Sequence, residues 1–177
     1  MKLLENETLK LRALERDDLD LLFSVENNSA HWEVSDTLSP FSRDVLLRYI
    51  ENAHLDLFEA KQLRLVITRT SDKCVLGLID LFDFNPNHKR AGIGILILNQ
   101  YKRKGYASEA LDIFINYVFG HLDLHQIYAS IPLNNKASMS LFKTKGFQEI
   151  GIQKEWIRRR GEFEHVALYQ KINPDHK

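Results

Sequence analysis

The chain has 177 residues, and its 24 Lys+Arg balance 24 Asp+Glu to a formal net charge of zero. That length suits one domain, 1–177, with a sizeable core, and the neutrality gives no bulk attraction to nucleic acid or an anionic membrane. Hydrophobic residues at 44% and charged residues at 27% are the proportions of a soluble globular protein. No apolar run approaches the roughly 20 residues of a membrane span, and the first 18 residues hold no apolar signal core. With one cysteine, Cys74, no internal disulfide can form. A reducing, cytoplasmic setting is expected, with Cys74 as a packed and inert thiol.

In chain order, residues 8–14 alternate Leu9, Leu11 and Ala13 against polar neighbours and read as a strand. Asp17 and Asp18 are placed to cap a helix whose apolar stripe is Leu19, Leu22 and Phe23. After a loop holding His31, Trp32, Glu33, Asp36 and Pro40, Ser42 opens a second helix with Val45, Leu46, Tyr49, Ile50 and Ala53 at helical spacing. Residues 63–70 and 75–84 form a hairpin about Ser71-Asp72-Lys73. Asn85-Pro86-Asn87 turns the chain into a strand over 89–98.

The stretch that follows organises the rest. An apolar run ends at Asn99-Gln100 and passes through Lys102, Arg103 and Lys104 to Gly105. A helix then begins, with Ala107, Ala110, Leu111, Phe114, Ile115 and Val118 on one face. A helix start presents unpaired N–H groups and partial positive charge. Gly105 allows a tight turn and close approach of a ligand to the backbone. These features fit a diphosphate, although an ordinary strand-to-helix turn with solvated lysines would read the same way. Beyond it come a strand over 126–131, a helix capped by Asn135 and closed by Gly146, and two strands over 147–157 and 163–172 about Arg159-Arg160-Gly161. The predicted order is β-α-α-β-β-β-α-β-α-β-β, an α/β layer with antiparallel hairpins and at least one parallel crossover.

YKRKGYASEAL resembles the acyl-CoA pyrophosphate loop of the GNAT superfamily of N-acyltransferases, with Lys102 standing where Gln or Arg is usual. The element order extends the resemblance over essentially the whole chain. LRALERDDLDLLFSVENN, GLIDLFDFNPNHKRAGIGILI, NKASMSLFKTKGF and WIRRRGEFEHVALYQ are similar to two branches, the spermidine and diamine N-acetyltransferases and the ribosomal-protein-alanine N-acetyltransferases. The resemblance implies a single-domain GNAT-like mixed sheet with a splayed strand pair at the acyl-CoA site and acetyl-CoA as co-substrate. It places pantetheine on the backbone of Ile95, Leu96 and Ile97, where free N–H groups could polarise the thioester oxygen. It places the diphosphate on Lys102, Arg103, Lys104, Gly105, Tyr106, Ala107 and Ser108, with Asn135 and Phe142 as further carrier contacts.

The resemblance also marks departures. The polyamine branch has a tyrosine where this chain has Phe142, which cannot donate a proton. The ribosomal-protein branch has a serine at Ser138, whose hydroxyl could serve the departing thiolate or simply lie on the helix surface. Tyr128 is a weaker alternative. Many relatives carry a Glu where this chain has Gly92. Asp83 matches a substrate-binding carboxylate of polyamine enzymes, and Glu33 falls near another. Asp80 and Asp83, three apart on one strand, are expected to face opposite sides. His121 and His125 have helical i, i+4 spacing without a third ligand, so no metal is expected. Arg158, Arg159 and Arg160 read as a solvated hairpin tip rather than a nucleic-acid contact.

The leading expectation is acetyl transfer from acetyl-CoA to a primary amine, a polyamine or diamine, by direct attack on the thioester. The alternatives are a protein N-terminal acetyltransferase and an acyl-CoA-binding protein with little turnover. The expected partner is a small-molecule amine or a peptide N-terminus, with no membrane and with a homo-oligomer left open.

Overall fold

The computed structural model describes residues 3–29, 32, 37–54 and 57–176. Its elements are β1 (Leu9–Ala13), α1 (Leu19–Glu26), α2 (Arg43–Glu51), α3 (Leu57–Ala60), β2 (Leu63–Arg69), β3 (Val75–Asn85), β4 (Arg90–Ile97), α4 (Tyr106–Gly120), β5 (Gln126–Pro132), α5 (Lys136–Thr144), β6 (Gln148–Arg159) and β7 (Glu162–Ile172). The expected order is present, with the single-turn α3 added between α2 and β2. The strands form one seven-stranded sheet in the order β1-β2-β3-β4-β5-β7-β6. All neighbours are antiparallel except β4 and β5, the one parallel pair, joined through α4. A parallel pair needs such a crossover because the chain must return to the same end of the sheet.

Strand alternation sorts the core. Val66 and Leu78 face α1 and α2, where Leu22, Val25, Leu46 and Ile50 close over them. Leu65, Ile67, Ile79, Leu81, Ala91 and Ile93 belong to the larger cluster with Ala110, Leu111, Phe114 and Val118 of α4. The helix ends follow their local chemistry. Ser42 caps α2 by accepting from the Val45 N–H at 3.2 Å, and Asn135 caps α5 by accepting from the Ser138 N–H at 3.1 Å. At the far end of α5, Phe147 N–H bonds to the Phe142 carbonyl (3.1 Å) and Gly146 N–H to the Lys143 carbonyl (3.0 Å). This is a Schellman closure, and the Phe142 and Phe147 rings meet edge-on at 5.0 Å as its apolar contact.

Asp18 departs from the expected capping role. Residues 16–18 form a 3₁₀ turn, and the Asp18 side chain makes no cap on α1. The carboxylate turns back to accept the Glu15 N–H at 2.8 Å and both terminal nitrogens of Arg12, at 2.7 and 2.8 Å. The fork fixes the entry of α1 against β1, with Asp18 only 4% exposed. Burial works to raise the Asp18 pKa, but the Arg12 hydrogen bond, the Glu15 N–H and the Arg12 charge outweigh it and hold the carboxyl below its ordinary value.

Asp18→Asn is expected to cost about 1–3 kcal/mol, the range for breaking a charge-assisted buried hydrogen bond. Because the folded-state pKa lies below the unfolded one, the ionised carboxylate contributes fully above the unfolded value of about 3.9, and the contribution vanishes as pH falls through the folded value. Thermal melts from neutral to acid pH should therefore show the wild-type advantage over Asp18→Asn shrinking in acid. An advantage unchanged at low pH would contradict this role for the pair.

Candidate active site

The two central strands part company early. Residues 90–92 of β4 pair with residues 126–128 of β5, and Gly92 opposite Tyr128 is the last pair before they diverge. On its other side β4 stays paired with β3 as far as Ile97 opposite Gly77. The splay expected from the resemblance is therefore present. The Leu98 N–H bonds to the Leu76 carbonyl at 2.9 Å. By antiparallel alternation, the peptide groups of Leu96 and Gly94 are then also turned to β3, and those of Ile93, Ile95 and Ile97 face the opening. Leu96 is thus corrected as a backbone contact: its peptide is occupied by β3 and its side chain packs toward α1 and α2.

At the mouth of this fork the chain passes through a 3₁₀ turn at Asn99–Tyr101 and into α4. Gly105 is the N-cap in the left-handed region (φ 85°), and Arg103 is also left-handed (φ 62°). The first helical bond runs from the Glu109 N–H to the Gly105 carbonyl at 3.1 Å. The N–H groups of Tyr106, Ala107 and Ser108 therefore stand ahead of the ladder. A Cβ on Gly105 would meet no atom within 4 Å, so the backbone here is open to solvent. Lys102, Arg103 and Lys104 are exposed, and among the described residues none of them is in an ion pair. Lys104 lies 5.6 Å over the Tyr101 ring, whose hydroxyl meets Cys74 Sγ at 2.9 Å. Tyr106 is tethered as well, since its hydroxyl accepts from Arg69 at 3.2 Å. Arg69 is held in turn by both oxygens of Asp72 at 2.9 and 2.7 Å, and its hydrogen bonds bring the Asp72 pKa down to about 2.

At the closed end of the fork lies a small polar and aromatic group. Asp83 sits on a bulge of β3, at φ 51°, where the register with β4 shifts between Phe82 and Asn85. The bulge breaks the expected alternation. Phe84 returns to the core face, and the Asp83 carboxylate accepts the Tyr128 hydroxyl at 3.1 Å. Burial first, then the Asp83 hydrogen bond and charge, push the Tyr128 phenol up to about 12. The Phe82 ring stands edge-on to Tyr128, 6.1 Å between centroids. It also covers Gly92, where a Cβ would lie 2.2 Å from the ring. The position where the resemblance leads to a carboxylate is thus filled by an aromatic wall.

Asp80 is not a free acid. It receives Arg64 at 2.6 and 3.2 Å, and the same guanidinium also donates to Glu26 and lies 5.8 Å over the Tyr49 ring. Burial raises the Asp80 pKa against the pull of Arg64. The Trp32 indole donates to the Glu26 carbonyl at 2.6 Å, tying its loop to this cluster. Glu33, with His31 and Asp36, lies outside the described residues. Phe142 is 3% exposed in the core and offers a ligand only an apolar edge, and Ser138 is half-buried on α5. His121 and His125 do not share a helix: α4 ends at Gly120, His121 stacks on Tyr117 and His125 on His176. Two cavities lie apart from the closed end of the fork. One, of about 260 Å³, is bounded by Leu133, Asn134 and Phe163, and the other, of about 370 Å³, by Asp112, Lys145 and Lys171.

A parallel strand pair opened at one end, a basic left-handed glycine turn at its mouth and a helix start behind that turn define a transferase site for an extended, phosphate-bearing acyl carrier. The Acetyltransferase (GNAT) domain profile matches residues 8–148. The spermidine N(1)-acetyltransferase of Vibrio cholerae serotype O1 is 29% identical over 164 residues, covering 91% of each chain. The crystal structure of spermidine N-acetyltransferase from Vibrio cholerae in complex with CoA and spermine superposes with a TM-score of 0.84 at 28% identity, covering 95% of this chain and 97% of that one. A dodecameric structure of the Vibrio cholerae enzyme in an intermediate state gives a TM-score of 0.80 at 29% identity, covering 95% of each. The chain belongs to the GNAT acetyltransferase family. It is an acetyl-CoA-dependent N-acetyltransferase. Among the described residues, no helix is long and apolar enough to cross a membrane.

Gly92→Ala is expected to destabilise by about 1–3 kcal/mol, because the new methyl must displace the Phe82 ring. Phe82→Leu vacates that space, so the double variant should lose less than the two single losses combined, with a coupling of about 0.5–3 kcal/mol. Denaturant unfolding of the four proteins measures it. Strictly additive losses would mean that the ring does not rest on Gly92.

Proposed function

We propose that the chain acetylates a primary amine of a polyamine or diamine, with acetyl-CoA lying along the β4 edge of the fork. The observation that carries this reading is the Asp83 carboxylate, exposed on its bulge beside Tyr128 and Phe82 at the closed end of the fork. A carboxylate flanked by aromatic rings suits an ammonium group. The relatives named for spermidine agree in substrate class.

In this reading Ile95 and Ile97 offer their free peptide groups to pantetheine and the thioester oxygen. The N–H groups of Tyr106, Ala107 and Ser108 receive the diphosphate, reached past Gly105 and flanked by Lys102, Arg103 and Lys104. Asn135 keeps its Nδ2 for the carrier while its Oδ1 caps α5. Asp83 holds a remote ammonium of the polyamine, because a carboxylate at the reacting amine would keep that amine protonated and unreactive. The chain works as one domain, since one sheet carries both the carrier and the acceptor elements. The dodecameric relative supports a homo-oligomer.

Gly105→Val should weaken acetyl-CoA binding at least about tenfold in calorimetry, because a β-branched residue resists the left-handed conformation and crowds the approach to the backbone. Unaltered affinity in a folded variant would remove the diphosphate from this turn. For the acceptor, Asp83→Asn should raise KM for spermidine more than it lowers kcat, and high salt should narrow the difference by screening an exposed ion pair. An alanine-terminated peptide, with no remote ammonium, should be less affected. Thiol release with spermidine, diamines and peptides decides the matter. If the wild type turns over peptides and leaves spermidine untouched, the acceptor is a protein N-terminus.

A further inference from the structure

Aminolysis of a thioester moves one proton overall: nitrogen gives one up and sulfur takes one. Two positions that could have served it are apolar in this chain. Residue 92 is a glycine under the Phe82 ring, and residue 142 is a phenylalanine packed on Phe147. Among the described residues, the Tyr128 hydroxyl stands where the fork closes. Tyr128 is the last residue of β5 paired to β4, so a thioester drawn between the strands can go no deeper than its peptide. Its ring lies on the same side as Phe82, and its hydroxyl already has a carboxylate partner in Asp83 at 3.1 Å.

We propose that the Tyr128 hydroxyl is the proton carrier of the acetyl transfer, taking the proton from the attacking amine and giving its own to the departing sulfur. The proposal rests on the reading of the site as an amine acetyltransferase. A neutral amine attacks the carbonyl carbon, the C–N bond forms, and the carbonyl pair moves onto oxygen. When that pair returns, the C–S bond breaks. The phenol O–H proton goes to sulfur as the phenol oxygen accepts the N–H proton, so the products are an amide, a free thiol and an unchanged tyrosine. In the resting site the hydroxyl donates to Asp83 on β3 at 3.1 Å, and a turn about the Cζ–Oη bond redirects it to sulfur. A phenol raised to about 12 stays protonated throughout the working range. The charged groups that act on it are Asp83 from β3, which raises it, and Arg90 from β4, which lowers it.

Wild-type turnover of acetyl-CoA with spermidine comes first, since its absence would remove the functional reading and leave the role of Tyr128 a separate matter. In a wild type that turns over, Tyr128→Phe should lower kcat by at least about a hundredfold, the lower end for general acid–base catalysis. KM for spermidine, the Kd of acetyl-CoA and Tm should remain close to wild type. Ser138→Ala should leave kcat within a few fold. A silent Tyr128→Phe, or a Ser138→Ala that carries the hundredfold loss instead, overturns the proposal. A fluorinated tyrosine at 128 keeps the shape and makes the phenol more acidic, so its ratio of kcat to wild type should fall at alkaline pH where the native phenol is still protonated. A ratio independent of pH would overturn the proposal equally, whatever the effect of Tyr128→Phe on folding.

Discussion

The parting of β4 from β5 after the third residue pair is the constraint on which the rest depends. A strand edge inside a sheet is ordinarily consumed by its neighbour, because unpaired peptide groups shut away from water are costly. Here the edge is left open on one side only. β3 holds β4 to its end and β7 holds β5 along its whole length, so each half of the sheet is continuous up to the gap. The gap persists because neither strand is free to close it. The cluster beneath, with Ile93 and Ile97 of β4, Ile131 of β5 and Ala110 and Phe114 of α4, fixes both strands from the same side. The crossover that a parallel pair demands also delivers the start of α4 to the mouth of the opening. One topological requirement thus produces both the open β4 edge and the glycine turn before α4.

On the face of the sheet under α1 and α2, contacts are organised by charge placement as well as by volume. Arg64 binds Asp80 and Glu26 together and joins α1, β2 and β3 at one point. Two carboxylates share one guanidinium there, while burial opposes the charge on Asp80. The cluster is largely withdrawn from water, where unscreened charge reaches further. Asp83 adds a carboxylate outside the pairing. A chain of zero net charge can therefore still present a locally acidic site to a polycation, since steering depends on the local field rather than on the sum.

Much of this architecture could be read from the chain. Ser42, Asn135 and Gly146 announced helix ends through chemistry that acts over three or four residues, and each end formed as expected. The glycine turn before α4 was legible for the same reason. What escaped were arrangements made by contacts distant in sequence. Nothing near Asp83 signals the bulge, because period-two alternation is the default until the partner strand interrupts it, and its capture by Tyr128 joins residues 45 positions apart. Asp80 read only as a strand carboxylate facing away from Asp83, because Arg64, which it shares with Glu26, lies on another element. Asp18 read as a cap because local spacing favours one, yet Arg12 on β1 claims the carboxylate. Leu96 differs from Ile95 and Ile97 in the direction of its peptide and the face its side chain takes, which the ladder with β3 decides.

The two departures from the family resemblance, Gly92 and Phe142, then acquire a common physical sense. Phe142 is the residue whose carbonyl and ring close α5 onto Phe147, so its ring is committed to sealing a helix end. Gly92 admits the Phe82 ring to the floor of the fork. Both residues put hydrocarbon where a protic or charged group could have stood, Gly92 beneath the Phe82 ring beside Tyr128 and Phe142 against Phe147 at the end of α5. Beside Gly92, partial burial and the Asp83 carboxylate disfavour an ionised Tyr128 phenol. A neutral phenol suits the environment, because it can give and accept a proton without leaving a charge behind. The exposed bulge keeps the Asp83 carboxylate out of the core while it accepts the Tyr128 hydroxyl at 3.1 Å.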